Sequence, residues 1–101
     1  MRDMDKKVLD RREKLAEEIN EALKAAMATG DPASEAAQRV CEMHKEWLCL
    51  SWPEGLYTKE LHRSLGETYS TDKRFKEYYD QAAGEGAAAF LEKALEAFTQ
   101  E

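Results

Sequence analysis

The chain predicts an all-α domain, on three observations. Apolar residues recur at three- and four-residue spacing along most of its length. No stretch alternates β-branched with polar residues, and each periodic run stops at a glycine, a proline or a side chain suited to capping. At 101 residues there is room for one domain with a single modest core, so 1–101 is read as one compact bundle of about five helices. A composition of 43% hydrophobic and 36% charged residues fits a folded globule and not a disordered chain.

The first helix is expected over about Asp5–Ala28, where Val8, Leu15, Ile19, Ala22, Leu23 and Ala26 form one stripe. Gly30 ends it, since glycine takes the left-handed conformation of a C-terminal cap at little cost. Asp31 is then placed to cap the second helix, with Pro32 in its first turn, where no amide donor is required. That helix runs on through Ala33, Ala37, Val40, Cys41, His44, Trp47 and Leu48. Ser51-Trp52-Pro53-Glu54-Gly55 breaks the pattern, because proline disfavours helical backbone at the residue before it. A third helix spans about Thr58–Tyr69 and is expected to bury Leu61, Leu65 and Tyr69; Gly66 in its middle marks a crossing by another helix. Asp72 is placed to cap a short fourth helix by accepting from the Phe75 amide, and Phe75, Tyr78 and Tyr79 form an aromatic face predicted to point inward. After the Gly84-Glu85-Gly86 turn, Ala87, Phe90, Leu91, Ala94 and Phe98 make the buried stripe of the last helix.

Charge and composition exclude several functions. A net charge of −6, with every basic pair flanked by carboxylates, argues against a nucleic-acid surface, which needs clustered cations. No apolar run approaches the ~20 residues of a bilayer-spanning helix, and the opening MRDMDKKVLDRREK is too charged for a secretory signal, so a cytoplasmic location is expected. Cys41 and Cys49 are eight residues apart on one helix, hence ~12 Å along its axis, too far for a disulfide. The paired carboxylates Asp3/Asp5 and Glu17-Glu18 read as a solvated face, with Lys7 four residues after Asp3. No phosphate-binding loop, Ser/His/Asp order or hydrolase metal motif is visible, so no enzyme is expected.

The most specific stretch is His62-x-x-Leu65-Gly66-Glu67-x-Tyr69-x-x-Asp72-x-Arg74-Phe75-x-x-Tyr78-Tyr79. It resembles the TipAS-like antibiotic-recognition domain, the ligand-sensing C-terminal half of certain MerR-type transcription activators. Gly86-Ala87-Ala88-Ala89-Phe90-Leu91-x-x-Ala94-Leu95 looks like that family's last helix, and Gly30-Asp31-Pro32 and His44 match its Gly-x-Pro turn and a histidine, so the likeness reaches from about Arg12 to Phe98. The resemblance implies a globin-like arrangement of the helices and a domain that binds a small-molecule or peptide antibiotic. In that family a basic winged-helix module and a long dimerisation helix stand ahead of the sensor. Here only Met1 to about Lys7 precede the first helix, so the chain is read as the sensor alone, without direct contact to nucleic acid. Thiopeptide-sensing members carry a cysteine two residues after the motif histidine, which adds to dehydroalanine groups of the antibiotic. This chain has Ser64 there, and a hydroxyl with no general base nearby does not attack an alkene, so the binding implied is non-covalent.

Each candidate site residue has a plain reading beside the functional one. His44 and Trp47 share the inner face of the second helix, either as core with a carbonyl or water satisfying the imidazole, or as a pocket wall. His62 is expected at the boundary of the core, hydrogen-bonded toward the loop that ends at Tyr57 or anchoring a ligand. Cys41-x-x-His44 has the spacing of two metal ligands, but a third from His62 would require a packing accident, and two histidines are too few to specify haem; neither metal nor cofactor is expected. Trp52 and Tyr57, with Trp47 and Ser64, are expected to frame a cleft beside the third helix for a flat or peptide-like ligand, where Leu61, Leu65 and Tyr69 add apolar surface. The loop over Ser51–Tyr57 is the segment expected to close over it. The rival reading is a helical interaction module, a homodimer through its first helix, with no small ligand.

Overall fold

Five helices make up the computed structural model, which describes residues 6–52 and 55–100: α1 (Lys6–Met27), α2 (Glu35–Ser51), α3 (Lys59–Thr71), α4 (Lys73–Ala83) and α5 (Ala87–Phe98). No strand occurs among the described residues. α1 packs along α2 and α3 along α5, and α5 also touches α2, α4 and α1. α5 holds that central place because Ala87, Ala88 and Ala94 let neighbours approach closely, while Leu91 and Leu95 fill the space between them. The main core joins these to Leu15, Ile19, Leu23 and Ala26 of α1 and to Ala37, Val40 and Cys41 of α2.

Helix starts depend on short polar side chains, not always the expected ones. α2 begins later than Asp31 suggested: Asp31 accepts from the Ala33 amide at 2.9 Å and closes a turn, leaving Ala33 exposed, and Ser34 is the cap, accepting from Ala37 N at 3.2 Å. Thr58 caps α3 by accepting from Leu61 N at 3.0 Å. Asp72 does cap α4: its Oδ1 takes the amide of Arg74 at 2.9 Å, and the Phe75 amide adds a weaker pull on the same carboxylate. α5 begins at Gly86, which has no side chain to cap with and a φ of 89°. Asp80 of α4 supplies the missing acceptor, its Oδ1 lying 3.1 Å from Ala88 N, and this hydrogen bond holds its carboxyl below the usual range.

The face that α3 buries is turned from the one expected. His62, Gly66 and Tyr69 point inward, Leu65 is half-buried, and Leu61 is 36% exposed. Gly66 explains the rotation. A Cβ there would lie 3.0 Å from Leu95 Cδ1 and 3.3 Å from the backbone Cα of Glu92, so α3 meets α5 at its one residue without a side chain. Centring the buried face on Gly66 brings His62 inward, one turn before it, and swings Leu61 outward.

Candidate functional site

A cavity of about 440 Å³ opens among α1, α2, the end of α3, and α4. Ala16, Ile19 and Asn20 come from α1, His44 and Trp47 from α2, Tyr69 from α3, and Arg74, Phe75, Tyr78 and Tyr79 from α4. The hollow exists because α4 brings bulky rings and α1, beside Ile19, answers with only a methyl group and a short amide. Phe75 and Tyr78 are not the inward residues that were expected: they are 40% and 49% exposed, and only Tyr79 of that trio is buried. Their rings make a continuous aromatic wall, with centroids 5.2 Å apart for Tyr69 and Phe75, 4.9 Å for Tyr69 and Tyr79, and 4.9 Å for Tyr78 and Tyr79. Asn20 Nδ2 donates to the Tyr78 hydroxyl at 3.1 Å, tying α1 to α4.

Behind the cavity wall lies a buried hydrogen-bonded chain. The Tyr57 hydroxyl is 2.6 Å from His62 Nδ1, His62 Nε2 is 2.8 Å from His44 Nδ1, and His44 Nε2 is 3.3 Å from the Tyr69 hydroxyl. The two imidazoles are 1% and 0% exposed and stack with ring centroids 4.9 Å apart. Burial, and then the charge His62 would carry, lowers His44 to about 3; burial, and then Lys45, lowers His62 to about 4. Both rings are therefore neutral near pH 7, one donating to the other. Burial likewise raises the Tyr69 hydroxyl, and Cys41 nearby in α2 is pushed up to about 12 by burial and then Glu42, an unreactive thiol.

Of the residues expected to bind ligand, His44, Trp47 and Tyr69 line this cavity together. Trp52, Tyr57, Leu61, His62, Ser64 and Leu65 do not line it. Trp52 and Tyr57 pair with each other, centroids 6.4 Å apart, and Lys45 Nζ lies 5.0 Å from the Tyr57 ring centroid. Ser64 is exposed on α3, and its carbonyl accepts from Thr68 Oγ1. His62 sits deeper than the boundary position expected, though its bond toward Tyr57 is present. It also lies within reach of His44, which sequence spacing gave no reason to expect. No group of three or more His, Cys, Asp or Glu among the described residues is arranged to hold a metal. The closing loop expected over Ser51–Tyr57 includes Pro53 and Glu54, which lie outside the described residues, as do Asp3 and Asp5 of the expected solvated face.

Sequence reasoning missed the contributions of α1 and α4 to the cavity. The available signal was steric: three aromatic residues within five positions of an 11-residue helix exceed what so short an element can bury.

Comparison with known proteins identifies the family of the chain. The family model of the TipAS antibiotic-recognition domain matches residues 1–98. The HTH-type transcriptional activators TipA of Streptomyces coelicolor and Streptomyces lividans are each 36% identical over 81 residues, which is 79% of this chain and 31% of theirs. The chain thus spans about a third of the length of these curated relatives. No solved structure gives a significant match. With all but its last three residues covered by the family model, and with the helices that the motif implies in place, the chain belongs to the TipAS antibiotic-recognition domain family.

Proposed function

We propose that this chain is the non-enzymatic ligand-recognition domain of a MerR-type transcription regulator, and that it holds a hydrophobic or peptide-like antibiotic non-covalently in the cavity between α1 and α4. The observation that carries the reading is a 440 Å³ hollow walled by rings, with two large aromatic side chains left substantially in water at its edge. Keeping Phe75 and Tyr78 in water has no folding benefit, whereas a ligand packed against them removes apolar surface from solvent. The relatives' description as transcriptional activators supports a regulatory use of that binding. Ser64, exposed and outside the cavity, takes no covalent part.

A thermal-shift screen against thiopeptides and uncharged hydrophobic drugs tests the proposal, since a ligand that binds only the folded state raises Tm by mass action. A binder should raise Tm by several degrees. Replacing Phe75 and Tyr78 together with serine should weaken it about tenfold or more; because the Tyr78 change also removes the Asn20 hydrogen bond and lowers Tm, binding is compared well below the variant's own Tm. Silence across the screen, with a concentration-dependent dimer in small-angle scattering, would replace this reading with a protein-interaction module. A thiopeptide adduct on a Ser64→Cys variant would move the ligand to the outer side of α3.

A further inference from the structure

We infer that the buried chain of Tyr57, His62, His44 and Tyr69 carries its protons in one direction, toward the cavity, and ends there on the Tyr79 hydroxyl as a hydrogen-bond donor. The ligand class this selects has a neutral acceptor, such as a ketone or amide carbonyl, attached to an apolar ring system. The inference rests on the ligand-recognition reading and deepens it.

A neutral imidazole has one N–H, so each ring donates through one nitrogen and accepts through the other. The contact between His62 Nε2 and His44 Nδ1 at 2.8 Å therefore governs the whole chain. Either both rings are protonated on Nε2 and Tyr69 is the acceptor at the far end, or both are protonated on Nδ1 and Tyr57 is. Three observations choose the first arrangement. The Tyr57 hydroxyl stands 2.6 Å from His62 Nδ1, the length of a bond donated by O–H and shorter than an N–H donor normally allows. The Tyr69 hydroxyl stands 3.3 Å from His44 Nε2, too long for a donated O–H and near the upper end for N–H. Lys45 Nζ lies 5.0 Å from the Tyr57 ring centroid, and a cation at that end favours hydrogens that point away from it.

Tyr69 thus accepts from His44 and still has its own O–H to give. Tyr79 is the phenol beside it, with ring centroids 4.9 Å apart and a hydroxyl that burial, and then Tyr69, make harder to ionise. Its oxygen receives the Tyr69 proton, and the O–H of Tyr79 is what remains. That group is not sealed in the core. Tyr79 keeps 7% of its surface and lines the cavity, and Arg12 Nε is the one buried side-chain polar atom among the described residues without a partner. Both nitrogens of His44, which also lines the cavity, are already taken. An occupant that excludes water from this wall without supplying an acceptor leaves the donor unpaired, so a carbonyl on the apolar body is favoured.

The first test needs no ligand. Nitrogen-15 NMR of the intact chain near neutral pH should show both buried rings protonated on Nε2. Protonation of both on Nδ1, or of the two rings on different nitrogens, overturns the inference. The second test uses two fluorescent probes, a dimethylaminonaphthalene bearing a propionyl group and its counterpart with propyl in place of the ketone. Tyr79→Phe, which keeps the ring, should weaken the ketone about fivefold, the usual worth of one neutral hydrogen bond, and leave the propyl probe nearly unchanged. A loss equal for the two probes, or absent for both, overturns the inference while the cavity reading stands. Failure of both probes to bind the unmodified protein removes the cavity reading, and the donor's role falls with it whatever the spectra show. Should Tyr79→Phe not fold, the carbonyl stretch of the ketone bound to the unmodified protein decides. A frequency below that in hexane reports the donated hydrogen bond, and an unshifted one overturns it.

Discussion

His44 and His62 are the residues on which the interior depends most sharply. Each satisfies the other, and each also has a tyrosine hydroxyl on its remaining ring nitrogen. His62→Leu strands the His44 nitrogen in a dry site and should cost about 2–3 kcal/mol in urea unfolding. Replacing both, as His44→Phe with His62→Leu, should cost clearly less than the sum of the single changes, because the second removes the group the first left unpaired. The same pair makes the protein acid-sensitive. Both folded-state values lie below the ordinary 6.5 of a free histidine, at about 3 and about 4. Above pH 6.5 neither folded nor unfolded chain holds the protons, and this contribution to stability is complete. As pH falls from 6.5 toward 4 the unfolded chain takes up protons that the folded one refuses, so stability falls, on the order of 3 kcal/mol for each ring. Urea midpoints measured from pH 7 to 4.5 should decline in the unmodified protein and flatten in the double variant. Nothing in the spacing of the two histidines announced their meeting. Their inward position depends on how two helices are rotated about their own axes, and single-helix periodicity leaves that open by about one residue.

At the scale of the element, α3 shows how one residue sets such a rotation. Gly66→Ala should gain helix propensity, roughly 1 kcal/mol, on an isolated helix. Here the new methyl group would press on Leu95 Cδ1 at 3.0 Å and on the Glu92 Cα at 3.3 Å, and backbone cannot step aside. The expected net result is destabilisation by about 1–2 kcal/mol, read as a lowered urea midpoint with an unchanged slope. The sequence made this crossing legible, because a glycine inside a helical stripe needs a reason. It did not make the direction of α3 legible: Leu61 and Leu65 are more apolar than His62, and a hydropathy pattern ranks them as core. Packing reversed the order, since the face opposite α5 must be the one with Gly66 on it. The caps divide the same way. A polar cap was readable at the starts of α2 and α4, but whether Asp31 or Ser34 does the capping is decided by the turn between them, which the Ala33 amide closes onto Asp31.

For the molecule as a whole, the number of helices and their approximate bounds followed from stripes and breakers, and a radius of gyration of 13.3 Å is what a compact 100-residue domain should have. The cavity was legible only in part. Trp47, His44 and Tyr69 were candidates because they were aromatic or ionisable on inner faces, and all three wall the hollow. The place of the hollow was not, because a void is a property of two elements together: α4 carries the rings and α1 the small partners that fail to fill the gap. The Trp52 and Tyr57 pair sits at the far end of the histidine chain from Tyr69, so the expected cleft and the observed cavity flank the same buried polar groups.

The bridge from Asn20 to Tyr78 carries a last consequence. It is an exposed, neutral strut, worth about 1 kcal/mol at most, and the helix it secures is short and largely in water. α4 should behave as the door of this domain, opening long before the remainder unfolds. In native-state hydrogen–deuterium exchange, amides of Glu77 to Gln81 should lose protection sooner than those of Leu91 to Leu95, which sit against the sealed interior. An occupant wedged behind the door should slow the first group and leave the second unchanged.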